Sequence, residues 1–287
     1  MTRIQLVTRI QLLAVDVDGT LVNSEDVISA ATRAALHRVR EAGVEVVIAT
    51  GRRYRNAQGA IGALGLPAPS VCLGGALVKG GDGRTLHADA FAAPEFRAVA
   101  SLFRDQGHAV LGQRDSHQDG GADFLLDDSV PWNEFTREYY DRNRSFGEPA
   151  ASLPDQTRQD VLVVGTFGEM LELQEVEREL HRVHPGAFSS HVMPGFQFQG
   201  HYCEVVPSRV SKWAGLARLA DFLGIPGEKV CAVGDERNDL SMISGAGVGV
   251  AMGNACEEVT RAADRVTGHH DEDGLVGVVE RILGEAS

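Results

Sequence analysis

Short apolar runs that end on polar or acidic residues alternate along this chain with stretches whose apolar positions recur at helical spacing. Ile10 to Val17 (IQLLAVDV) is such a run, as expected of a strand buried on both faces, and it ends in Asp16-Val17-Asp18. A helix should follow: Ser29 is a good N-cap, Ala31, Ala34, Ala35, Val39 and Ala42 keep a helical period, and Gly43 stops it. Val44 to Thr50 (VEVVIAT) is a second apolar strand, closing on Thr50-Gly51-Arg52. Strand, helix, strand in this order predicts a right-handed βαβ unit in a parallel sheet, and ligands bind at the C-terminal strand ends of such sheets.

A third strand near Ser70 to Leu73 and a hairpin across Gly80-Gly81-Asp82-Gly83 lead into a different texture. From about Asp89 to Ser190, helical periods at Pro94 to Gln106 and Glu169 to Val183 mix with short strands such as Val161 to Val164, and aromatic and polar residues become more frequent. The acid-rich stretch Asp123 to Asp128 is expected on the surface of this region. The parallel pattern then resumes, with a helix at Ser211 to Leu223, a strand at Lys229 to Val233, a helix at Asp239 to Ser244 and a strand at Val248 to Ala251. The expected organisation is an α/β fold: a Rossmann-like parallel-sheet core from residues 1–88 and 191–287, interrupted by an α/β domain at 89–190. A sheet begun before an insertion and completed after it brings Asp16 and Asp235 to one edge.

Length agrees with two domains, since 287 residues exceed one ordinary core. With 43% apolar and 23% charged residues, the composition is that of a soluble globular protein. The net charge of −13 without a Lys/Arg run excludes a nucleic-acid partner, which needs a basic face. It also means that an anionic substrate has to be held by a local cation. Cys72, Cys203, Cys231 and Cys256 lie far apart without a CxxC pair and read as reduced residues, which implies a reducing compartment. No run approaches a membrane span, and the N-terminal stretch, with Arg3 and Arg9 inside it, lacks a signal-peptide core, so the cytoplasm is expected. Thr2 to Leu6 (TRIQL) recurs as Thr8 to Leu12, which reads as a duplicated or misassigned start.

DVDGTL at Asp16 to Leu21 carries the sharpest chemistry. In an ideal strand Asp16 and Asp18 point the same way, so one carboxylate can attack phosphorus while the other handles the leaving group's proton, with Gly19 permitting a turn. The alternative is a pair of solvated loop acids. GDERNDLSMI at Gly234 to Ile243 offers hard oxygen ligands suited to magnesium, Asp235 first, while Asn238 and Asp239 can equally cap the next helix. Thr50-Gly51-Arg52 and Lys212 supply the hydroxyl, amide and cationic groups that a phosphoryl group needs, although a lysine at a helix start is more often solvated.

These four pieces, in this order, resemble the haloacid dehalogenase superfamily of phosphohydrolases, and more closely its Cof-type subfamily with an inserted α/β cap. The tail from Gly249 to Leu275, containing GNACEEVTRAADRVTGHHDEDGL, strengthens the resemblance. It implies Asp16 as nucleophile, Asp18 as general acid and base, and Thr50, Gly51, Arg52, Lys212 and Asn238 around the phosphate. It also implies a magnesium site from Asp16, the Asp18 carbonyl and Asp235, with Asp239 binding or orienting the metal shell. Gly74 departs from the family's usual Asn, and Trp213 from its usual Gly, which puts the substrate pocket in question.

The expected activity is hydrolysis of a small-molecule phosphate ester, a sugar phosphate first, with FMN or pyridoxal phosphate as alternatives. A phosphomutase and a noncatalytic phospholigand-binding protein are the rivals. The chain is expected to act as a monomer or homodimer without membrane or nucleic-acid partners. Gly247-x-Gly249-x-x-x-Gly253 imitates a dinucleotide loop but follows a helix and spans a strand. His181 with His184, and His269 with His270, lack an evident third metal ligand and read as ordinary surface or core histidines.

Overall fold

The computed structural model describes residues 10–117, 120–195 and 199–284. The first TRIQL copy and the first two residues of the second lie outside the described residues. In chain order the core opens with β1 (Leu12–Val15), α1 (Ala30–Glu41), β2 (Glu45–Ala49), α2 (Tyr54–Leu64), β3 (Ser70–Cys72), β4 (Leu77–Lys79) and β5 (Thr85–Ala88). Next come α3 (Ala93–Asp105), β6 (Leu111–Gln113), β7 (Phe124–Asp127), α4 (Glu134–Asn143), β8 (Gly147–Ala150), β9 (Val163–Gly168), α5 (Met170–Val183), β10 (Phe188–Pro194) and β11 (His201–Pro207). The chain closes with α6 (Lys212–Phe222), β12 (Val230–Gly234), α7 (Leu240–Gly245), β13 (Val248–Ala251), α8 (Glu257–Ala262), β14 (Arg265–Val266) and α9 (Gly274–Gly284). Among the described residues no helix is long and apolar enough to cross a membrane.

Eight strands form one sheet in the order β14-β13-β12-β1-β2-β3-β4-β5, with β1 parallel to both β12 and β2. The apolar run at its centre is buried on both faces, as its pattern predicts. Leu13, Val15, Val46, Ile48, Cys231 and Val233 face one apolar layer that includes Leu36 and Val39 of α1 and Val278 and Val279 of α9. Leu12, Ala14, Val47, Ala49, Val230 and Ala232 face the other, with Leu216 and Leu219 of α6. Ser29 caps α1 as expected, its hydroxyl accepting from the Thr32 amide at 3.0 Å.

The chain divides into two compact units, one ending at His87 and resuming at Ser211, the other spanning Ala88–Val210. The second junction lies some way beyond the expected 190/191 because β10 and β11 pair with each other, and β11 with β9, in the inserted sheet of order β10-β11-β9-β6-β7-β8. One face of that sheet packs on α3 and α5 through Phe96, Phe103, Leu173 and Leu180. The other carries Phe124 and Phe167 against Tyr139, Tyr140 and Trp132. The expected acidic surface at Asp123 to Asp128 is mostly interior. β7 is buried along its length, and its Asp127 and the preceding Asp123 are held by hydrogen bonds instead of water: Asp127 accepts from the Leu153 amide at 3.0 Å and the Ser129 hydroxyl at 2.6 Å, and Asp123 from the Ser116 hydroxyl at 2.7 Å.

Two adjacent glycines in the turn after β3 set the place of α6. Gly74 sits at φ +61°, a left-handed conformation that Asn shares with Gly, so this departure from the family pattern keeps the backbone path. Gly75, at φ +112°, lies so close to the start of α6 that a Cβ there would stand 1.9 Å from the Ser211 carbonyl oxygen. Trp213 is a packing residue of the core unit: its ring lies over Gly245, where a Cβ would come within 2.4 Å of it. Replacing Gly75 by Ala is expected to destabilise the protein by at least about 1–2 kcal/mol, read as a lowered midpoint in denaturant unfolding.

Candidate active site

Asp16, Thr50 and Asp235 each follow the last residue of a central parallel strand, β1, β2 and β12. In the register Val15 lies opposite both Val233 and Ile48, so the three polar residues emerge at the same sheet edge. The Asp16 amide donates to the Val233 carbonyl at 3.0 Å, continuing the ladder one step beyond β1. The chain then departs from the ideal strand on which a common direction for Asp16 and Asp18 rests. Residues 17–21 turn tightly, with Leu21 N–H donating to the Asp16 carbonyl at 3.2 Å and Gly19 at φ +76°. No side chain fits at Gly19, because a Cβ would fall 2.2 Å from an Asp235 carboxylate oxygen.

Three carboxylates meet here: Asp16, Asp235 and Asp239, all buried, offer oxygens within 4.8 Å of one another. Lys212, the first residue of α6 and 1% exposed, answers them. Its Nζ donates to Asp16 Oδ1 at 2.6 Å, Asp239 Oδ1 at 2.5 Å and Asn238 Oδ1 at 3.2 Å. Lys212 is therefore not the solvated lysine of the alternative reading. Burial works against its charge, but Asp16 and Asp239 outweigh burial and hold it protonated. Burial and then the Asp239 charge push the Asp16 carboxyl well above its ordinary range, with Lys212 opposing. Asp235 rises from 3.8 to about 6, chiefly by burial, against a hydrogen bond from the Thr20 hydroxyl at 2.9 Å.

One ammonium among three carboxylates leaves two formal negative charges in a buried space. Protonation or a divalent cation relieves that excess, and the hard oxygen donors suit magnesium. Asp16 and Asp235 are the donors best placed to hold it. Asp239 already uses both oxygens, one on Lys212 and the other accepting from the Asp235 and Glu236 amides at 2.9 and 3.1 Å.

Asp18 stands apart from this cluster, its side chain about half exposed and paired with Arg52, whose Nε donates to it at 3.0 Å. The same guanidinium reaches Asp26 at 3.0 Å, so Arg52 is engaged with carboxylates. The Thr50 hydroxyl accepts from the Arg52 amide at 3.0 Å. Gly51 lies beside Asn238, where a Cβ would be 3.7 Å from Nδ2.

Two participants escaped the sequence reading. Thr20 fixes Asp235, and Asn254 joins the site by donating to the Gly19 carbonyl at 2.8 Å and to Asp235 at 3.2 Å. Thr20 is inside DVDGTL, and Asn254 is inside the tail that carries the family likeness; nothing in the spacing of either marks it separately.

The chain matches the model of a family described as haloacid dehalogenase-like hydrolase over residues 13–279. It is 27% identical to phosphatase YwpJ of Bacillus subtilis, over 95% of this chain and 100% of that one. It is 29% identical to the 5-amino-6-(5-phospho-D-ribitylamino)uracil phosphatase YitU of Bacillus subtilis, over 93% and 96% of the two chains. A solved haloacid dehalogenase-like hydrolase from Bacteroides thetaiotaomicron superposes with a TM-score of 0.74 at 26% identity, covering 95% of this chain and 99% of its own.

The raised Asp235 pKa has a sign that can be measured. The folded protein binds this proton more tightly than the unfolded chain, so the contribution to stability is full below 3.8 and fades as pH rises through about 6. In metal-free protein, Asp235→Asn is expected to stabilise the fold at pH 8 by roughly 1 kcal/mol after solvent screening and to do little at pH 4. Thermal unfolding in chelator at both pH values checks this; equal shifts at the two would contradict it.

Proposed function

The chain belongs to the haloacid dehalogenase-like hydrolase family and is a phosphatase, and from that premise we propose that it hydrolyses a small-molecule phosphate monoester, a sugar phosphate first, through an aspartyl phosphate on Asp16. The observation that carries the proposal is the buried Asp16 carboxylate, gripped by Lys212 Nζ at 2.6 Å and clustered with the Asp235 carboxylate.

In this reading Asp16 attacks phosphorus in line, forming a P–O bond as the bond to the ester oxygen breaks. Asp18 gives its proton to the leaving alkoxide, then accepts one from the water that attacks the aspartyl phosphate and frees inorganic phosphate. Splitting the hydrolysis in two lets one carboxyl serve as acid and then base. Asp16, Asp235 and the Asp18 carbonyl would hold magnesium, which when bound would supply positive charge against the transferring phosphoryl group.

The remaining residues position the group. The Thr50 hydroxyl proton, the Gly51 amide and Asn238 Nδ2 present donors to phosphoryl oxygens, and the Lys212 ammonium adds one by exchanging its long 3.2 Å contact with Asn238. Asp239 holds Lys212 and the Asp235–Glu236 backbone and so orients the metal shell without entering it. Arg52, engaged with Asp18, orients the acid in this structure and meets the phosphate only by exchanging that partner. The sugar-phosphate class is supported by the cap type to which the sequence is similar and by YitU, whose named substrate carries its phosphate on a ribityl chain.

Asp16→Asn is expected to lower phosphate release roughly a thousandfold or more while leaving the unfolding midpoint near that of the wild type; an unchanged rate would reject the nucleophile. Chelation should stop turnover and added magnesium restore it. Across a panel of sugar phosphates, FMN, pyridoxal phosphate and nucleotides, the highest kcat/KM is expected for a sugar phosphate. A clear preference for another class would overturn the substrate assignment and leave the chemistry standing.

A further inference from the structure

The turn after β14 carries His269, His270 and Asp271, whose ligand atoms lie within 4.8 Å of one another. The third ligand that the sequence reading did not find is the next residue along the chain. Asp271 Oδ2 is 3.7 Å from both His269 Nδ1 and His270 Nε2. A tetrahedral ion with bonds near 2.1 Å spaces its ligands by about 3.4 Å, so the carboxylate needs to close on each imidazole nitrogen by only a few tenths of an ångström.

Contacts from outside the turn prepare these atoms. His270 Nδ1 lies 2.9 Å from the Val22 carbonyl, which can only accept, so the ring proton belongs on Nδ1 and the Nε2 lone pair faces Asp271. A histidine that anchors one nitrogen on a carbonyl and presents the other is the usual arrangement of a metal-bound imidazole. Asp271 is fixed in the same way, by the Ser24 amide and hydroxyl, each at 2.8 Å. The His269 Nδ1 accepts from the Asp271 amide at 3.2 Å, so this nitrogen too is unprotonated, and metal binding exchanges that long bond for a ligand bond. The His270 side chain is 13% exposed, while His269 and Asp271 are open enough for an ion to enter.

We propose that His269, His270 and Asp271 form a second cation site, separate from the carboxylate cluster at Asp16, that takes a borderline divalent transition ion such as zinc or cobalt. Two imidazoles and one carboxylate favour such ions over magnesium, which prefers oxygen ligands. Through Ser24 and Val22, an ion here fastens the 269–271 turn to the segment that leaves the nucleophile loop. Its existence does not depend on the phosphatase mechanism.

The test is cobalt binding to the untagged full-length protein in saturating magnesium, followed by visible absorption and equilibrium dialysis. One equivalent of cobalt with imidazole-type bands is expected, weakened at least tenfold in His269→Ala and in His270→Ala and retained in Asp235→Asn. His269→Ala removes an exposed ring and is read with a thermal unfolding control, so loss of binding there is not loss of fold. No cobalt uptake in saturating magnesium, uptake indifferent to both histidine substitutions, or uptake lost in Asp235→Asn overturns the proposal.

Discussion

The site rests on an excess of buried negative charge that the chain's own residues only partly neutralise. Asp16, Asp235 and Asp239 share one ammonium, and Lys212 touches two of the three at 2.5–2.6 Å. Removing one partner of such a buried pair costs about 3–5 kcal/mol elsewhere in proteins because the other charge is stranded. Loss of Lys212 would therefore strand the buried carboxylates, whereas loss of one carboxylate relieves the excess, and the set is incomplete without further positive charge. That incompleteness fits the proposed function, since a site that has to recruit a cation can hold a phosphate ester in a protein whose overall charge is −13.

The fold serves this constraint through close backbone approach. Parallel strands β12, β1 and β2 deliver Asp235, Asp16 and Thr50 to one edge. Gly19 makes room for the Asp235 carboxylate, and Gly75 lets α6 begin where Lys212 can reach Asp16. Asn254 and Thr20 then fix Asp235 from two sides. Small residues set the distances and larger polar ones set the orientation, so a methyl group added at Gly19 would disturb the chemistry as directly as loss of a carboxylate.

Much of the core was legible because its strands are buried on both faces and read as apolar runs: 248–251 coincides with β13, and Val44 to Thr50 brackets β2 by one residue at each end. The inserted unit was less legible. β10 and β11 carry polar and half-buried residues such as Ser189, Ser190 and His191, and their pairing with β9 depends on partners far along the chain, so the second junction moved from 190 to Val210. Asp123 and Asp127 looked like surface acids because sequence does not show the hydroxyls and amides that satisfy them. At the site, Asp16, Lys212, Asn238, Asp235 and Asp239 come together in space, whereas Asp18 and Arg52 form a separate pair. That pairing follows from the turn at 17–21, which a strand pattern cannot reveal.

The most direct measurement is the thermal unfolding midpoint of metal-free protein as magnesium is titrated in at neutral pH, for wild type and for Asp235→Asn. A buried cluster with two uncompensated charges predicts a midpoint that climbs with magnesium in the wild type and scarcely moves in the variant. A wild-type midpoint indifferent to magnesium, or the same rise in both proteins, would contradict the central claim that Asp16 and Asp235 together hold the cation.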